Sequence, residues 1–139
     1  MTAPPIVGNR EFRLGLDGAL GGTTARLGIS DSAPVGGRMA LMRGFDPLVC
    51  MEAIVRDKLT VFIGLSMMYQ AILDHPCRRE FDLSTLRCCI YTMAPISKPL
   101  LERAMADMCP NFVLSSGQTE MYPATTMSRP EVQLQRFGN

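Results

Sequence analysis

Two kinds of periodic pattern alternate along the chain from about residue 37 onward. Short apolar runs, which are typical of strands buried in a sheet, recur at residues 38–43, 60–64, 87–91 and 112–114. Between them lie stretches with apolar residues every three or four positions, which is the spacing of an amphipathic helix. The pattern therefore predicts strands and helices in strict alternation, beginning and ending with a strand.

The connections between these predicted strands are too long for hairpins. Each one exceeds the ~10–12 residues that a crossover between parallel strands needs, whereas a hairpin needs only about two to five. Parallel strands joined by helices form an open, twisted sheet with right-handed crossovers. The sequence thus predicts an α/β fold, a mainly parallel open sheet of about four strands with helices on its faces.

Capping signals mark where several helices begin. Asp46 is suited to be an N-cap because Pro47, which lacks an N–H, can follow in the first helical position. Ser66 is a candidate N-cap for the second helix. The run Ser128-Arg129-Pro130-Glu131 resembles a capping box and predicts a last short helix that stops near residue 138.

The N-terminal part of the chain has a different composition. Nine of the 12 glycines lie within the first 44 residues, where no helical or strand period is sustained. We predict that residues 1–34 are rich in loops. The predicted division is a glycine-rich, poorly ordered segment at 1–35 and a domain at 36–139.

Charge and hydropathy exclude several classes of function. The 139 residues carry 14 Lys+Arg against 13 Asp+Glu, so no electrostatic attraction to nucleic acid is predicted. No apolar run reaches the ~18 residues that a membrane span needs. No basic and then apolar leader is visible at the N-terminus, and we predict a cytoplasmic protein.

The five cysteines and the single histidine lack the spacing of a metal site or a catalytic triad. We interpret the cysteines as small buried hydrophobic residues in a reducing compartment. Cys88 and Cys89 are adjacent in a predicted strand, so their side chains should point to opposite faces of the sheet.

Open parallel sheets bind ligands beyond the carboxyl ends of their strands. This rule selects residues 64–66, 91–97 and 115–120, and the last segment is the most polar. It offers hydroxyls, a glycine, an amide and a carboxylate, which suit phosphate oxygens and a shared Mg²⁺. A polar loop that only satisfies its own hydrogen bonds is the alternative interpretation.

A family resemblance rests on this same segment. Ser116-Gly117-Gln118-Thr119-Glu120 resembles the Tyr-Gly-x-Thr-Glu motif of the adenylate-forming (AMP-binding) superfamily, which includes the acyl-CoA synthetases. Phe45-Asp46-Pro47, the run at 81–87 and Ala94-Pro95-Ile96-Ser97 follow the order and spacing of that family's middle, nucleotide-binding segment. The resemblance covers about residues 36–139 and implies one subdomain of an acyl-CoA synthetase large domain.

The resemblance implies a reaction and a set of ligands. Such enzymes use ATP to activate a carboxylic acid, in particular a fatty acid, as an acyl-adenylate, and then form acyl-CoA. The implied ligands are a nucleotide (ATP or AMP), Mg²⁺, the acid and coenzyme A as co-substrate. Thr119 and Glu120 are implied as catalytic residues, with Glu120 also holding the metal. The implied nucleotide-binding residues are Met93, Ala94, Pro95, Ser116, Gly117, Gln118 and Thr119.

The sequence also departs from the family pattern. Ser116 stands where the motif has tyrosine, and Thr92-Met93 stand where two small residues are usual. The family's phosphate loop is not found upstream, and its ribose-binding aspartate and C-terminal catalytic lysine would lie beyond residue 139. We therefore expect a fragment of such a synthetase, and whether the chain is itself an enzyme stays open.

Two alternatives belong to other classes of function. The first is a non-catalytic binding or interaction module derived from such an enzyme, in which the 11 methionines supply adaptable apolar surface and a partner chain covers exposed sheet faces. The simpler interpretation of the methionines is core packing, because several lie on helical stripes. The second is a flavodoxin-like phosphate-binding protein.

Overall fold

The structure is a computed structural model that describes residues 13–17, 38–42, 44–92, 95–116 and 126–128. The strands in this part of the chain are β1 (Arg13–Asp17), β2 (Arg38–Met42), β3 (Val61–Gly64), β4 (Cys88–Thr92), β5 (Phe112–Ser116) and β6 (Thr126–Met127). The helices are α1 (Pro47–Asp57), α2 (Ser66–Asp74) and α3 (Lys98–Asp107), with a 3₁₀ turn at Arg78–Glu80. All four predicted strands and all three helices between them are present.

One sheet contains all the described strands, in the order β2-β1-β3-β4-β5-β6. Strands β1 to β5 are parallel, and β6 runs antiparallel to β5. The predicted α/β class with a mainly parallel open sheet is confirmed. The strand count differs from the predicted four: β3, β4 and β5 form the well-packed centre, and β1, β2 and β6 extend the sheet to six described strands.

The three helices pack on one face of the sheet rather than on both, as far as the described residues go. The path β2-α1-β3-α2-β4-α3-β5 always moves across the sheet in the same direction, so right-handed crossovers place every helix on the same side. We call this side the helix face and the opposite side the far face. The three described helices thus pack on the sheet as predicted, and all three lie on the helix face.

The core on the helix face is built around aromatic rings. Tyr69 of α2, Phe62 of β3 and Phe112 of β5 have no solvent exposure. The ring of Tyr69 meets Phe62 edge-on at a centroid distance of 5.4 Å and Phe112 at 5.1 Å. Such edge-to-face pairs add about 0.5–1.5 kcal/mol each beyond the burial of apolar area.

The far face carries its own apolar group, formed by Val61, Cys88 and Val113 with Ile63 and Ile90 beside them. Since side chains alternate along a strand, Cys88 lies in this group while its neighbour in sequence lies in the helix-face core. The predicted separation of the two adjacent cysteines by the sheet is confirmed.

Helix α1 begins where the sequence predicts. Asp46 is the N-cap, with its carboxylate accepting from the amides of Leu48 at 2.9 Å and Val49 at 3.0 Å, and Pro47 is the first helical residue. The helix ends at Lys58, which adopts the left-handed conformation with φ of 49°. Both halves of the predicted N-terminal signal are confirmed.

Two details differ from the predictions. Ser66 is the first residue of α2 and Leu65 is its N-cap, so Ser66 does not cap the helix. Strand β1 lies within the segment predicted to be rich in loops, because only Leu14 and Leu16 signal it among glycines and charges. The proposed division at residue 35 stays a prediction. None of the described helices has the length and hydrophobicity to cross a bilayer.

Candidate functional site

The ends of three parallel strands lie side by side at one edge of the sheet, which we call the carboxyl edge. Gly64 at the end of β3 is in register with Tyr91 of β4, and Thr92 at the end of β4 is in register with Ser115 of β5. The three segments selected from the sequence therefore leave the sheet from neighbouring strands. The structure supports the reasoning that brought them together.

Two hydroxyl side chains meet at this edge. Thr92 and Ser115 are opposite each other on adjacent strands, and by strand alternation both point to the far face. Both are partly exposed. The sequence identified Ser115 as a polar residue and Thr92 only as added bulk, because strand pairing, which makes them neighbours, cannot be read from one segment alone.

Only some of the predicted site residues lie in the described part of the chain. Ser116 is the exposed last residue of β5, and Pro95 is exposed between β4 and α3. The remaining predicted site residues lie outside the described residues: Met93, Ala94, Gly117, Gln118, Thr119 and Glu120. Their roles stay predictions.

Strand β6 pairs with β5 on the edge opposite to β4, next to the carboxyl edge. Ser115 and Ser116 are in register with Met127 and Thr126. Ser128 then donates its amide to the Leu114 carbonyl at 3.0 Å, and its hydroxyl oxygen accepts from the Leu114 amide at 2.9 Å. The hydroxyl of Ser128 therefore bonds to the sheet; the short helix predicted to begin at Ser128 lies outside the described residues and stays a prediction.

Tyr69 ties β3 to β4 beneath the edge. Its hydroxyl donates to the Ile90 carbonyl at 2.8 Å and lies 3.2 Å from the Phe62 carbonyl. Complete burial raises the pKa of this phenol well above its ordinary value, because the charged form would lose its hydration. Tyr69 is therefore a neutral structural donor and not a candidate acid or base. No local pattern in the sequence indicates this bond.

The turn after β3 leaves no room for a side chain at Gly64. A Cβ atom there would lie 3.0 Å from Cε1 of the Phe62 ring. The chain then turns directly into α2, where the Leu65 amide is 3.4 Å from Sδ of Met68. Close packing of the turn against the helix-face core thus fixes where α2 begins.

The first turns of α2 and α3 both lie at the carboxyl edge, since these helices follow β3 and β4 directly. Most amides in the first turn of a helix have no partner within the helix, and the helix dipole is positive there. In α2 the Met68 amide does donate to the Leu65 carbonyl at 2.9 Å, and in α3 Pro99 has no N–H. Ser97, the N-cap of α3, makes no side-chain capping bond. The edge therefore combines hydroxyls with amide donors, which is the chemistry that binds anionic oxygens.

The cysteines are buried or half-buried thiols and not candidate reactive groups at this edge. All five cysteines are free, and burial raises the pKa of the Cys88 thiol to about 12. Burial likewise raises the pKa of Cys89, whose amide bonds to Asn111 at the other end of the strand. Among the described residues, no three His, Cys, Asp or Glu side chains are grouped to hold a metal ion.

Known proteins resemble this chain over the region that contains the carboxyl edge. The model of the AMP-binding enzyme family matches residues 32–138. One relative from Mycobacterium tuberculosis is 42% identical over 88 residues, or 63% of this chain. It is a CoA ligase whose acyl group is a propanoyl chain on a methyl-dioxo-octahydroindenyl ring. The chain spans 17% of the length of that ligase.

Two solved structures share the fold. The inhibitor-bound N-terminal domain of FACL13 from Mycobacterium tuberculosis superposes with a TM-score of 0.82 at 22% identity, covering 93% of this chain and 32% of that one. The O-succinylbenzoate coenzyme A synthetase of Bacillus subtilis, in complex with ATP and magnesium ion, gives 0.79 at 20% identity, covering 92% of this chain and 26% of that one.

Proposed function

This chain belongs to the AMP-binding enzyme family, and we propose that it forms part of the nucleotide-binding segment of an ATP-dependent acyl-CoA synthetase. In the proposed reaction a carboxylate attacks the α-phosphorus of ATP, which gives an acyl-adenylate and releases pyrophosphate. The thiol of coenzyme A then attacks the acyl carbon, which gives the thioester and releases AMP. The proposed acid is a fatty acid.

One observation carries the proposal. Thr92 and Ser115 are in register at the carboxyl ends of adjacent parallel strands, so the Met93–Pro95 stretch and the Ser116–Glu120 motif start from neighbouring points of one edge. Because β4 and β5 are adjacent and parallel, both segments begin close enough together for one bound nucleotide to contact them.

The roles that we propose within the motif follow the family resemblance, and the chemistry of each residue type agrees with them. Thr119 supplies a hydroxyl to the α-phosphate, and Gly117 allows the backbone to approach the ligand closely. Gln118 lines the adenylate site, and the Met93–Pro95 stretch lies along the adenine. Charge develops at the α-phosphoryl group during the reaction, so fixed hydroxyl and amide donors stabilise it.

The donor set fits Mg²⁺. Magnesium is usually held by one or two carboxylates together with substrate phosphates and water. Glu120 supplies one carboxylate, and the described part of the chain groups no further acidic residues beside the carboxyl edge to form an all-protein cage. When bound, Mg²⁺ would neutralise phosphate charge, and the Glu120 carboxylate would hold the metal ion in place.

Two features of the chain shape the proposal further. Ser116 replaces the larger tyrosine of the family motif, so we expect this edge to be more polar than usual. Thr92 replaces a smaller residue, so we also expect the edge to be narrower. The proposed compartment is the cytoplasm, supported by the five free cysteines. Catalysis of the whole reaction is proposed only for the chain together with the remaining parts of such a synthetase.

The test is nucleotide binding by the 139-residue chain, measured by calorimetry with ATP in the presence and absence of Mg²⁺. We expect Mg²⁺ to strengthen ATP binding in the wild type and to have no such effect in Glu120→Gln. Glu80→Gln is the matched control, because Glu80 is exposed in the 3₁₀ turn away from the carboxyl edge.

Two outcomes contradict the proposal. If the wild type binds neither ATP nor AMP, the nucleotide-binding assignment is wrong and the non-catalytic interaction module becomes the better account. If Glu120→Gln and Glu80→Gln respond to Mg²⁺ alike, Glu120 does not hold the metal. Robust pyrophosphate exchange by the isolated chain would instead contradict the expectation that further parts are needed.

A further inference from the structure

Ser128 holds both main-chain polar groups of one residue of β5. The Leu114 amide donates to the Ser128 hydroxyl oxygen at 2.9 Å, and the Leu114 carbonyl accepts from the Ser128 amide at 3.0 Å. In an ordinary antiparallel pair, the Leu114 amide would donate to the main-chain carbonyl of its partner. Here the Ser128 side chain takes the place of that carbonyl, and β6 ends at Met127.

This bonding matters because β6 is very short. Only Thr126 and Met127 pair with β5, and a two-stranded ribbon of this size is marginal by itself. Without further support, β5 would behave as an exposed edge strand with unpaired amides and carbonyls. The two bonds from Ser128, one from its amide and one to its hydroxyl, satisfy the same two groups of Leu114 that a further hydrogen-bonded residue pair would satisfy.

The bonds also lie close to the proposed site. Leu114 is in register with Tyr91 of β4 on one side and bonds to Ser128 on the other. Two residues further on, β5 ends at Ser116, the first residue of the motif. Any loss of pairing at Leu114 therefore affects the register in which Ser115 and Ser116 are presented at the carboxyl edge.

We propose that Ser128 is a positioning residue for the nucleotide site: its two bonds to Leu114 hold the end of β5 in register against β4. The proposal rests on the proposed function, since it concerns the same edge. Ser128 acts on affinity by keeping the binding-competent arrangement populated, because apparent affinity falls in proportion to the competent fraction. Ser128 needs no contact with the ligand to have this effect.

The experiment compares three variants of the full chain. Ser128→Ala removes the acceptor oxygen, whereas Ser128→Thr keeps it and adds a methyl group that strands tolerate well. Ser84→Ala is the control: the Ser84 side chain also makes a local hydrogen bond, to Asp82, but in the connection that leads into the amino end of β4. Calorimetry measures AMP affinity, amide hydrogen exchange reports on Leu114, and urea unfolding reports on global stability.

We expect Ser128→Ala to bind AMP about tenfold more weakly, the change expected when one hydrogen bond is lost. Exchange of the Leu114 amide should accelerate by a similar factor, because that donor loses its partner. Ser128→Thr should bind within about twofold of wild type, as should Ser84→Ala. If Ser128→Ala does not fold, Ser128→Cys replaces it, since sulfur is a weak acceptor and should give an intermediate loss.

The possible failures are distinct. If the wild type binds AMP and Ser128→Ala (or Ser128→Cys) binds it equally well, the positioning role is overturned and the proposed function stands. An equal loss of affinity in Ser128→Thr and Ser128→Ala also overturns it, because the hydroxyl is then irrelevant. If the wild type binds no nucleotide, the proposed function fails and the role of Ser128 fails with it.

Discussion

The buried hydroxyl of Tyr69 gives the sharpest test of the packing described above. Tyr69→Phe removes one oxygen atom and keeps the ring that packs against Phe62 and Phe112. The lost atom donates to the Ile90 carbonyl at 2.8 Å and lies 3.2 Å from the Phe62 carbonyl. Because Tyr69 has no solvent exposure, water cannot replace the donor.

The expected cost follows from these contacts. A typical hydrogen bond contributes about 1 kcal/mol net, and a buried group left without its partner costs about 1–3 kcal/mol. The Ile90 carbonyl has a second lone pair and its place in the sheet, so we expect a loss of about 1–2 kcal/mol, near the lower end of that range. For a chain of this size the loss corresponds to a fall in Tm of about 3–8 °C.

Urea unfolding followed by far-UV circular dichroism measures this loss, with the m-value expected to stay constant. Tyr69→Leu serves as the comparison, because it removes both edge-to-face ring contacts as well and should lose at least ~3 kcal/mol. If Tyr69→Phe unfolds within about 0.5 kcal/mol of wild type, the hydroxyl is not bonded as described. A Phe variant as unstable as the Leu variant would contradict the partition between bond and ring.

Three further predictions use the same unfolding assay. The pKa of Cys88 is raised to about 12 in the fold, whereas an unfolded thiol ionises near about 8.5. The free energy of unfolding should therefore fall as the pH rises above about 9, by up to about 1.4 kcal/mol per pH unit from this thiol. Cys88→Ala should make that slope shallower, and an unchanged slope would contradict the assignment. Asp46→Ala should cost about 1 kcal/mol by removing the N-cap of α1, whereas Asp46→Asn should cost little. Gly64→Ala should cost about 1–3 kcal/mol because its Cβ would press on the Phe62 ring, while Gly44→Ala, with nothing within 4 Å, should be nearly neutral; equal effects of the two would refute the steric argument.

The sequence predicted the parts of the fold that depend on local signals. The Asp46-Pro47 start of α1 needs only the chemistry of one turn, and the structure has it. The parallel sheet followed from connection lengths alone. The opposite directions of Cys88 and Cys89 followed from the two-residue period of a strand, and the two core groups confirm it.

Features that depend on partners distant in sequence were not predictable. Strand β1 has only five residues, Arg13–Asp17, with Leu14 and Leu16 as its apolar positions, so its pairing with β2 and β3 determines it rather than its own pattern. The bond between the Leu114 amide and the hydroxyl of Ser128, 14 residues away, has no local signal either. In both cases the contact that matters is with a segment distant in sequence.

The candidate site divides in the same way. The rule for carboxyl ends correctly selected neighbouring segments, because it depends only on parallel topology. The pairing of Thr92 with Ser115 required knowledge of the register between β4 and β5. That α1, α2 and α3 share one side of the sheet depends on the order of the strands, which no individual segment encodes.

The two adjacent cysteines are natural probes of the order in which the two sides of the sheet open during unfolding. Cys88 and Cys89 are consecutive in sequence, but the sheet separates their sulfur atoms into two layers. A thiol reagent added for short intervals during unfolding would modify each sulfur only when its own layer admits water. The order of the two modifications, read by peptide mass, would therefore tell which side of the sheet opens first, with no engineered label.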